Sequence, residues 1–241
     1  MIFPKDNVRF LLQGEAGLVV EFGQEIAPEI LAEVQSLKRV LQSDPPQGMI
    51  EMTPTYRSLL LVYNPEMTNV ARLKQEVIER WPQEFQPLEE GRIIVIPTCY
   101  DEEFGPDLVE LSQIVNLSPE EVIAEHTSKD YLIYMLGFTP GFPYLGGLSP
   151  RIACPRLSSP RTIVPMGSVG IAEQQTGIYP LATPGGWRLI GRSPIRVFNL
   201  HSSEPFLFQA GDWLRFQSID RQTYAEIAAD VERGSWKPIL V

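Results

Sequence analysis

Between Tyr131 and Ser218 the sequence breaks into apolar runs of four to eight residues, YLIYML, TIVP, SVGIA, IYPLA, WRLIG, IRVFNL and WLRFQS, separated by glycine and proline turns. Runs this short and this rich in β-branched and aromatic residues suit strands, and many of them in series predict a β barrel or sandwich. Gly141-Phe142-Pro143-Tyr144-Leu145-Gly146-Gly147 and Thr183-Pro184-Gly185-Gly186-Trp187 read as tight turns of that barrel.

The same stretch reverses the charge of its surroundings. Gly137 to His201 holds six arginines, Arg151, Arg156, Arg161, Arg188, Arg192 and Arg196, against one acid, Glu173, in a chain whose formal net charge is -10. No lysine occurs between Lys129 and Lys237. Arginine grips carboxylates and phosphates with a planar two-point fork, so the bias predicts oriented anion recognition. Aromatic residues, Phe142 and Tyr144 among them, and glycines interleave with the arginines; flat rings can wall a pocket and glycine lets backbone approach a ligand.

Upstream the pattern changes. VRFLLQ and LVVEF read as a hairpin, followed by a helix from Pro28 to Leu41, strands at 49–53 and 58–63, and a helix from Asn69 to Trp81. The order ββαββα predicts a two-layer α+β domain over residues 1–90, with WPQEFQPLEEG as linker, and a mainly-β domain over 91–241. A strand, RIIVIPTCY, opens the second domain. Two helices follow, one starting at Asp107 with Glu110 three residues on, the other at Ser118-Pro119-Glu120-Glu121, both read as capping boxes. Asp220 to Val231 is predicted as a final helix.

Several function classes drop out. A pI near 4.8 opposes general nucleic-acid binding. MIFPKDNVRF shows neither a secretory signal nor a transit peptide, and no apolar run approaches membrane-spanning length, so a cytoplasmic protein is expected. Cys99 and Cys154 read as buried small apolar residues; together with His126 and His201 they lack metal-ligand spacing, so no metal site is expected. The loop Gly167-Ser168-Val169-Gly170 lacks a P-loop lysine, and Ser158-Ser159 has no activating base nearby in sequence. His126 reads as either a helix C-terminal histidine or a site residue, and His201 as structural, ending the strand IRVFNL.

Five segments between residues 131 and 194, YMLGFTPGFPYLGGL, CPRLSSPRTIVP, GSVGIA, QTGIYP and TPGGWRLIGRSP, resemble the KipI-like proteins, also called the B-type subunits of 5-oxoprolinase or allophanate hydrolase subunit 1. The resemblance implies a small α+β domain followed by a cyclophilin-like β barrel. It also implies partners. One is a KipA-like C-type subunit, with which such proteins resemble the carboxyltransferase domain of biotin-dependent urea carboxylase. The other is an A-type subunit that joins them to open 5-oxoproline to glutamate. ATP with magnesium is then expected in the assembled complex and no cofactor in the isolated chain. Arg156 and Arg161 would hold a substrate carboxylate or transferred phosphate, with Gln175, Thr176 and Tyr179 orienting amide or ring atoms, His126 as acid or base, and Arg188 and Arg192 in secondary roles. Arg188 stands where the family often has glutamine, and Glu173 where it is commonly small. Two further readings accompany the resemblance: a KipI-like inhibitor of a sensor histidine kinase, and half of a biotin-dependent carboxyltransferase.

Overall fold

A computed structural model describes residues 7–88 and 91–241. The expected domain boundary at residue 90 and the first six residues lie outside the described residues. The chain divides into two compact units, Met1–Glu89 and Glu90–Val241.

In the first unit β1 (Arg9–Gln13), β2 (Gly17–Glu21), β3 (Met49–Pro54) and β4 (Ser58–Tyr63) form an antiparallel sheet in the order β1-β2-β4-β3, with α1 (Pro28–Ser43) and α2 (Val70–Glu79) between and after the hairpins. Strand alternation puts Leu18 opposite Leu61 and Val20 opposite Leu59 on one face. Val34, Leu37 and Leu41 of α1 and Leu73 and Val77 of α2 recur at helical spacing and bury that face. Pro28 sits in the first turn of α1, where its missing N–H costs nothing, and the Asn69 side chain caps α2 by accepting from the Arg72 amide at 3.0 Å.

The second unit is a barrel-like sheet. Its strands are β5 (Ile93–Cys99), β6 (Asp130–Leu136), β7 (Pro143–Gly146), β9 (Ser168–Ala172), β10 (Gln175–Ile178), β12 (Arg188–Arg192) and β13 (Trp213–Ile219), in the order β10-β9-β12-β5-β13-β6-β7. The terminal strands β10 and β7 come back against one another, which nearly closes the sheet. β8 (Arg161–Val164) and β11 (Thr183–Gly185) pair as a separate ribbon, and β14 (Ile239–Leu240) adds to β5. Inside lie Ile94, Ile96, Tyr131, Ile133, Val169, Ile171, Ile178, Leu214 and Phe216, beside α3 (Leu108–Val115) and α4 (Pro119–Thr127); α5 (Arg221–Arg233) follows β13. Among the described residues no helix is long and apolar enough to cross a membrane.

Most predicted strands fall within a residue or two of the observed ones, and the exceptions are instructive. IYPLA is not one strand: β10 stops at Ile178, and Tyr179 and Pro180 turn the chain toward β11. IRVFNL lies in an irregular segment held by one bridge, Phe198 to Phe206, so its apolar alternation, Ile195 and Val197 buried around exposed Arg196, reflects burial without a ladder. His201 is therefore an exposed loop residue and ends no strand. Ser118 and Glu121 form the predicted capping box, but Asp107 does not cap α3, because its carboxylate is drawn to partners in two distant strands.

Candidate functional site

β10 separates two environments by its alternation. Thr176 and Ile178 point into the barrel, whereas Gln175 and Gly177 point out, toward a second, smaller apolar cluster of Phe142, Val164, Ala172, Tyr179, Trp187 and Leu189. There the Phe142 ring meets Tyr144, Tyr179 and Trp187 edge-on, with centroids 5.4, 5.4 and 5.5 Å apart. A Cβ on Gly177 would stand 3.1 Å from Phe142 and 3.2 Å from Trp187, so this glycine is what lets the two rings close over the strand. Gly185 does the same for Tyr179, whose phenol oxygen would be 2.6 Å from a Cβ there.

Arg161 opens β8 opposite Gly185 and brings its guanidinium to this wall. Its Nη2 donates to Asp107 Oδ1 at 2.6 Å, and the second carboxylate oxygen of Asp107 accepts from the Leu189 amide at 2.6 Å. The Asp107 amide in turn donates to the Leu189 carbonyl at 3.0 Å, so one residue ties α3, β8 and β12 together. Arg161 Nη1 is buried and has no acceptor among the described residues. A buried cationic donor of this kind is costly to leave unpaired and is poised for an anion.

Tyr179 completes the group. Burial pushes its phenol up to about 12, against the opposing pull of the Trp187 backbone and of the Arg156 and Arg161 charges, so it stays protonated and can donate. Arg156 is exposed, on a segment strapped down by four bonds: Cys154 and Glu173 exchange backbone bonds at 3.2 and 2.7 Å, Leu157 donates to Gly186 at 2.8 Å, and Arg188 Nε donates to the Pro155 carbonyl at 3.0 Å. Glu173 takes the left-handed conformation, φ 52°, in the β9–β10 turn that meets Cys154. Two arginines, a phenol and an aromatic wall thus converge, an arrangement able to hold a small carboxylate or phosphate and orient an amide.

Residues 8–208 match the family described as carboxyltransferase domain, subdomain C and D. A Bacillus subtilis (strain 168) protein named as the B-type subunit of 5-oxoprolinase is 43% identical over 233 residues, covering 90% of this chain and 96% of the relative. The chain belongs to the family of 5-oxoprolinase B-type subunits. Its fold also resembles the solved structure of TTHA0988, with a TM-score of 0.75 and 38% identity over 85% of this chain, and that of the K. lactis urea amidolyase, with a TM-score of 0.80 and 21% identity over 97% of it. This chain spans 40% of the former and 16% of the latter.

In this member of the 5-oxoprolinase family, the remaining expected site residues occupy other places. His126 is fully buried: Nδ1 lies 2.8 Å from the Tyr100 hydroxyl and Nε2 lies 2.8 Å from Thr176 Oγ1. Because Thr176 donates its proton to the Gly170 carbonyl at 3.1 Å, His126 must donate from Nε2 and accept the Tyr100 proton at Nδ1. Burial takes its pKa down to about 3, and its ring packs on Phe216 with centroids 4.4 Å apart. Thr176 and His126 therefore lie on the inner face of β10, away from the arginines, and brace the strand that carries Gln175, which is half-buried at the start of β10.

Arg188 is also nearly buried, 2.8 Å from Glu110 Oε2, and works through its hold on Pro155, next to Arg156. Arg192 lies over the Phe104 ring at 5.5 Å and interacts with Tyr224, neither of which belongs to the aromatic cluster. Sequence reasoning missed Asp107 as a site residue, since an acid three residues before another acid at a helix start reads locally as a cap. Trp187 was visible as the end of a turn and the start of the run WRLIG, and its place in the wall depends on β12 lying beside β9.

Proposed function

We propose that this chain is the B-type subunit of an ATP-dependent 5-oxoprolinase, opening the lactam of 5-oxoproline to glutamate together with an A-type and a KipA-like C-type subunit. The observation that carries the reading is the Arg161 guanidinium, fixed by Asp107 with Nη1 buried and free, beside Arg156 and Tyr179. 5-Oxoproline is a ring amide bearing one carboxylate, which suits two arginines against an aromatic wall. The identity to the Bacillus subtilis relative, itself named for 5-oxoprolinase, supports the same reading. Its two units are taken as two domains meeting near residue 90, the second cyclophilin-like, in a cytoplasmic protein.

In the balanced reaction 5-oxoproline, ATP and two waters give glutamate, ADP and phosphate. An amide resists water because its nitrogen lone pair feeds the carbonyl; phosphorylating the oxygen withdraws that support and makes the carbon attackable. Arg156 and Arg161 hold the substrate carboxylate or the transferred phosphate, Tyr179 donates to the amide oxygen, and Gln175 aligns the amide. Phe142 and Tyr144 wall the ring, and Arg188 positions Arg156. His126 receives no proton-transfer step, since a ring that is buried, neutral and engaged at both nitrogens offers no group to substrate. ATP and magnesium are assigned to the assembled complex, and no step is routed through them here.

The test is 5-oxoproline-dependent ATP hydrolysis with glutamate release by the three purified subunits, and by the mixture lacking this one. Activity is expected only in the full mixture, and Arg161→Ala should abolish it while leaving the fold intact. Equal activity without this chain, or with Arg161→Ala, would refute the assignment. The carboxyltransferase family match favours a second reading, carboxyl transfer with biotin, and carboxylation of a biotinylated carrier in place of lactam opening would select it.

A further inference from the structure

β1 and β3 are the two edges of the first unit's sheet, and they are finished differently. β3 is blunted: Glu51 is exposed on it, its register with β4 shifts between Met49 and Glu51, and Pro54, which has no N–H to offer, ends it. β1 has none of these devices. Its register with β2 runs unbroken from Arg9 opposite Glu21 to Gln13 opposite Gly17, and it holds no proline, lysine or acid. Its one charge is drawn away from the outer edge, because Arg9 Nε donates to the Glu21 carboxylate of β2 at 2.7 Å. Among the described residues no strand other than β2 pairs with β1.

The side chains that β1 exposes are apolar on both faces of the sheet. Leu11, opposite Val19, is 40% exposed on the face away from the helices, and Leu12, opposite Leu18, is 70% exposed on the helix side. Leu18 in the same row is 1% exposed, so Leu12 owes its exposure to its place at the edge and not to its face. An edge strand with open N–H and C=O groups and leucines exposed on both faces is a template for another strand.

We propose that β1 pairs antiparallel with β1 of a second copy of this chain, joining the two four-stranded sheets into one continuous sheet about a two-fold axis. The order of the residues argues for this occupant. Centred on Leu11, the pairing sets Leu11 against Leu11, Phe10 against Leu12 and Arg9 against Gln13, so each apolar residue meets an apolar one and the cation meets a neutral amide. Moving the centre to Phe10 would set Arg9 against Leu11, and moving it to Leu12 would set Phe10 against Gly14. Parallel pairing in register would stack Arg9 on Arg9. In the Leu11 register the row Leu60, Val19, Leu11 runs on through the same three residues of the second copy, and Leu12 comes beside a Phe10 ring that Lys74 covers at 4.9 Å. A contact of one short strand is small, so the dimer is weak and reversible. It concerns the first unit alone and does not depend on the reaction proposed above.

Sedimentation equilibrium of the full chain over a wide range of concentration tests this, and the native chain should show a monomer–dimer equilibrium. Leu12→Lys puts a charge on the edge at a position already exposed, so it should melt as the native chain does and weaken the dimer roughly tenfold or more. Gln13→Lys sets a cation against each Arg9 and should weaken the dimer roughly threefold or more, a loss that shrinks as salt rises, whereas Gln13→Glu should tighten it by a similar factor. A native chain that stays monomeric at every concentration reached would refute the proposal. A dimer that Leu12→Lys leaves unchanged would refute it as well, since the contact would then lie elsewhere. A dimer weakened by Leu12→Lys but indifferent to the sign of the charge at residue 13 would keep the edge and overturn the Leu11 register.

Discussion

Asp107→Ala removes two acceptors at once, one facing Arg161 Nη2 and one facing the Leu189 amide, each at 2.6 Å. An interior N–H left without its acceptor costs about 1–3 kcal/mol, and a hydrogen bond to a charged group contributes about 1.5–3 kcal/mol. Arg161 keeps 29% of its side-chain surface in water, which places its share at the lower end of that range. The expected loss is about 3–4 kcal/mol for Asp107→Ala, and about half of that, ~2 kcal/mol, for Asp107→Asn, whose single carbonyl oxygen can serve one donor but not both. Denaturant unfolding gives the two losses, and hydrogen exchange at the Leu189 amide shows which bond was lost. If both variants unfold within about 0.5 kcal/mol of the native chain, the range of an ordinary surface substitution, the clamp holds nothing and the account of Arg161 fails. If Asn and Ala cost the same, the two acceptors are not separable as argued.

Three further outcomes follow from the same geometry. His126, held neutral with a pKa near 3 against 6.5 when unfolded, means the unfolded chain binds the extra proton, so its contribution is complete above pH 6.5 and falls away as pH drops toward 3. His126→Gln should flatten the decline in unfolding midpoint over that window relative to the native chain, and parallel declines would show that His126 does not titrate as described. Gly185→Ala should cost about 1–3 kcal/mol by driving a methyl into the Tyr179 phenol and should lower reconstituted activity, whereas an unperturbed melting temperature would mean the β8–β11 ribbon yields freely. Arg188→Ala should raise KM by freeing the Arg156 strap while Arg192→Ala should not; equal effects would show that proximity to Phe104 and Tyr224 does not separate Arg192 from the site.

What could be read from the sequence was whatever short-range physics decides. Pro28, Asn69 and the Ser118–Glu121 box announce helix starts within a few residues, and short apolar runs such as SLLLVY and SVGIA announce strands. The arginine excess was legible because charge survives any rearrangement of the backbone, but which arginines would meet was not: Arg161 pairs with Asp107, Arg188 with Glu110 and Arg151 with Glu125. Pairing could not be read. Asp107 and Arg161 are 54 residues apart, and His126 meets Thr176 across 50, so whether each residue caps, bridges or packs depends on which strands become neighbours. The first two residues of QTGIYP illustrate this, since strand alternation sends Thr176 inward to His126 and Gln175 to the opposite face.

β5 is the first strand of the barrel and lies at its centre, yet its parallel neighbour β13 begins at Trp213 and its remaining flank is completed by β12 and by Ile239–Leu240. On a ribosome adding about 5–20 residues per second, Ile94, Val95 and Ile96 therefore emerge roughly 6–25 s before the strand that will cover them. During that interval the chain carries an apolar strand with both edges open, the state most prone to pair with a neighbour. Barrel assembly is in this sense a late, all-at-once event, and a transcript truncated before Trp213 yields a sticky chain where a complete one has closed its sheet.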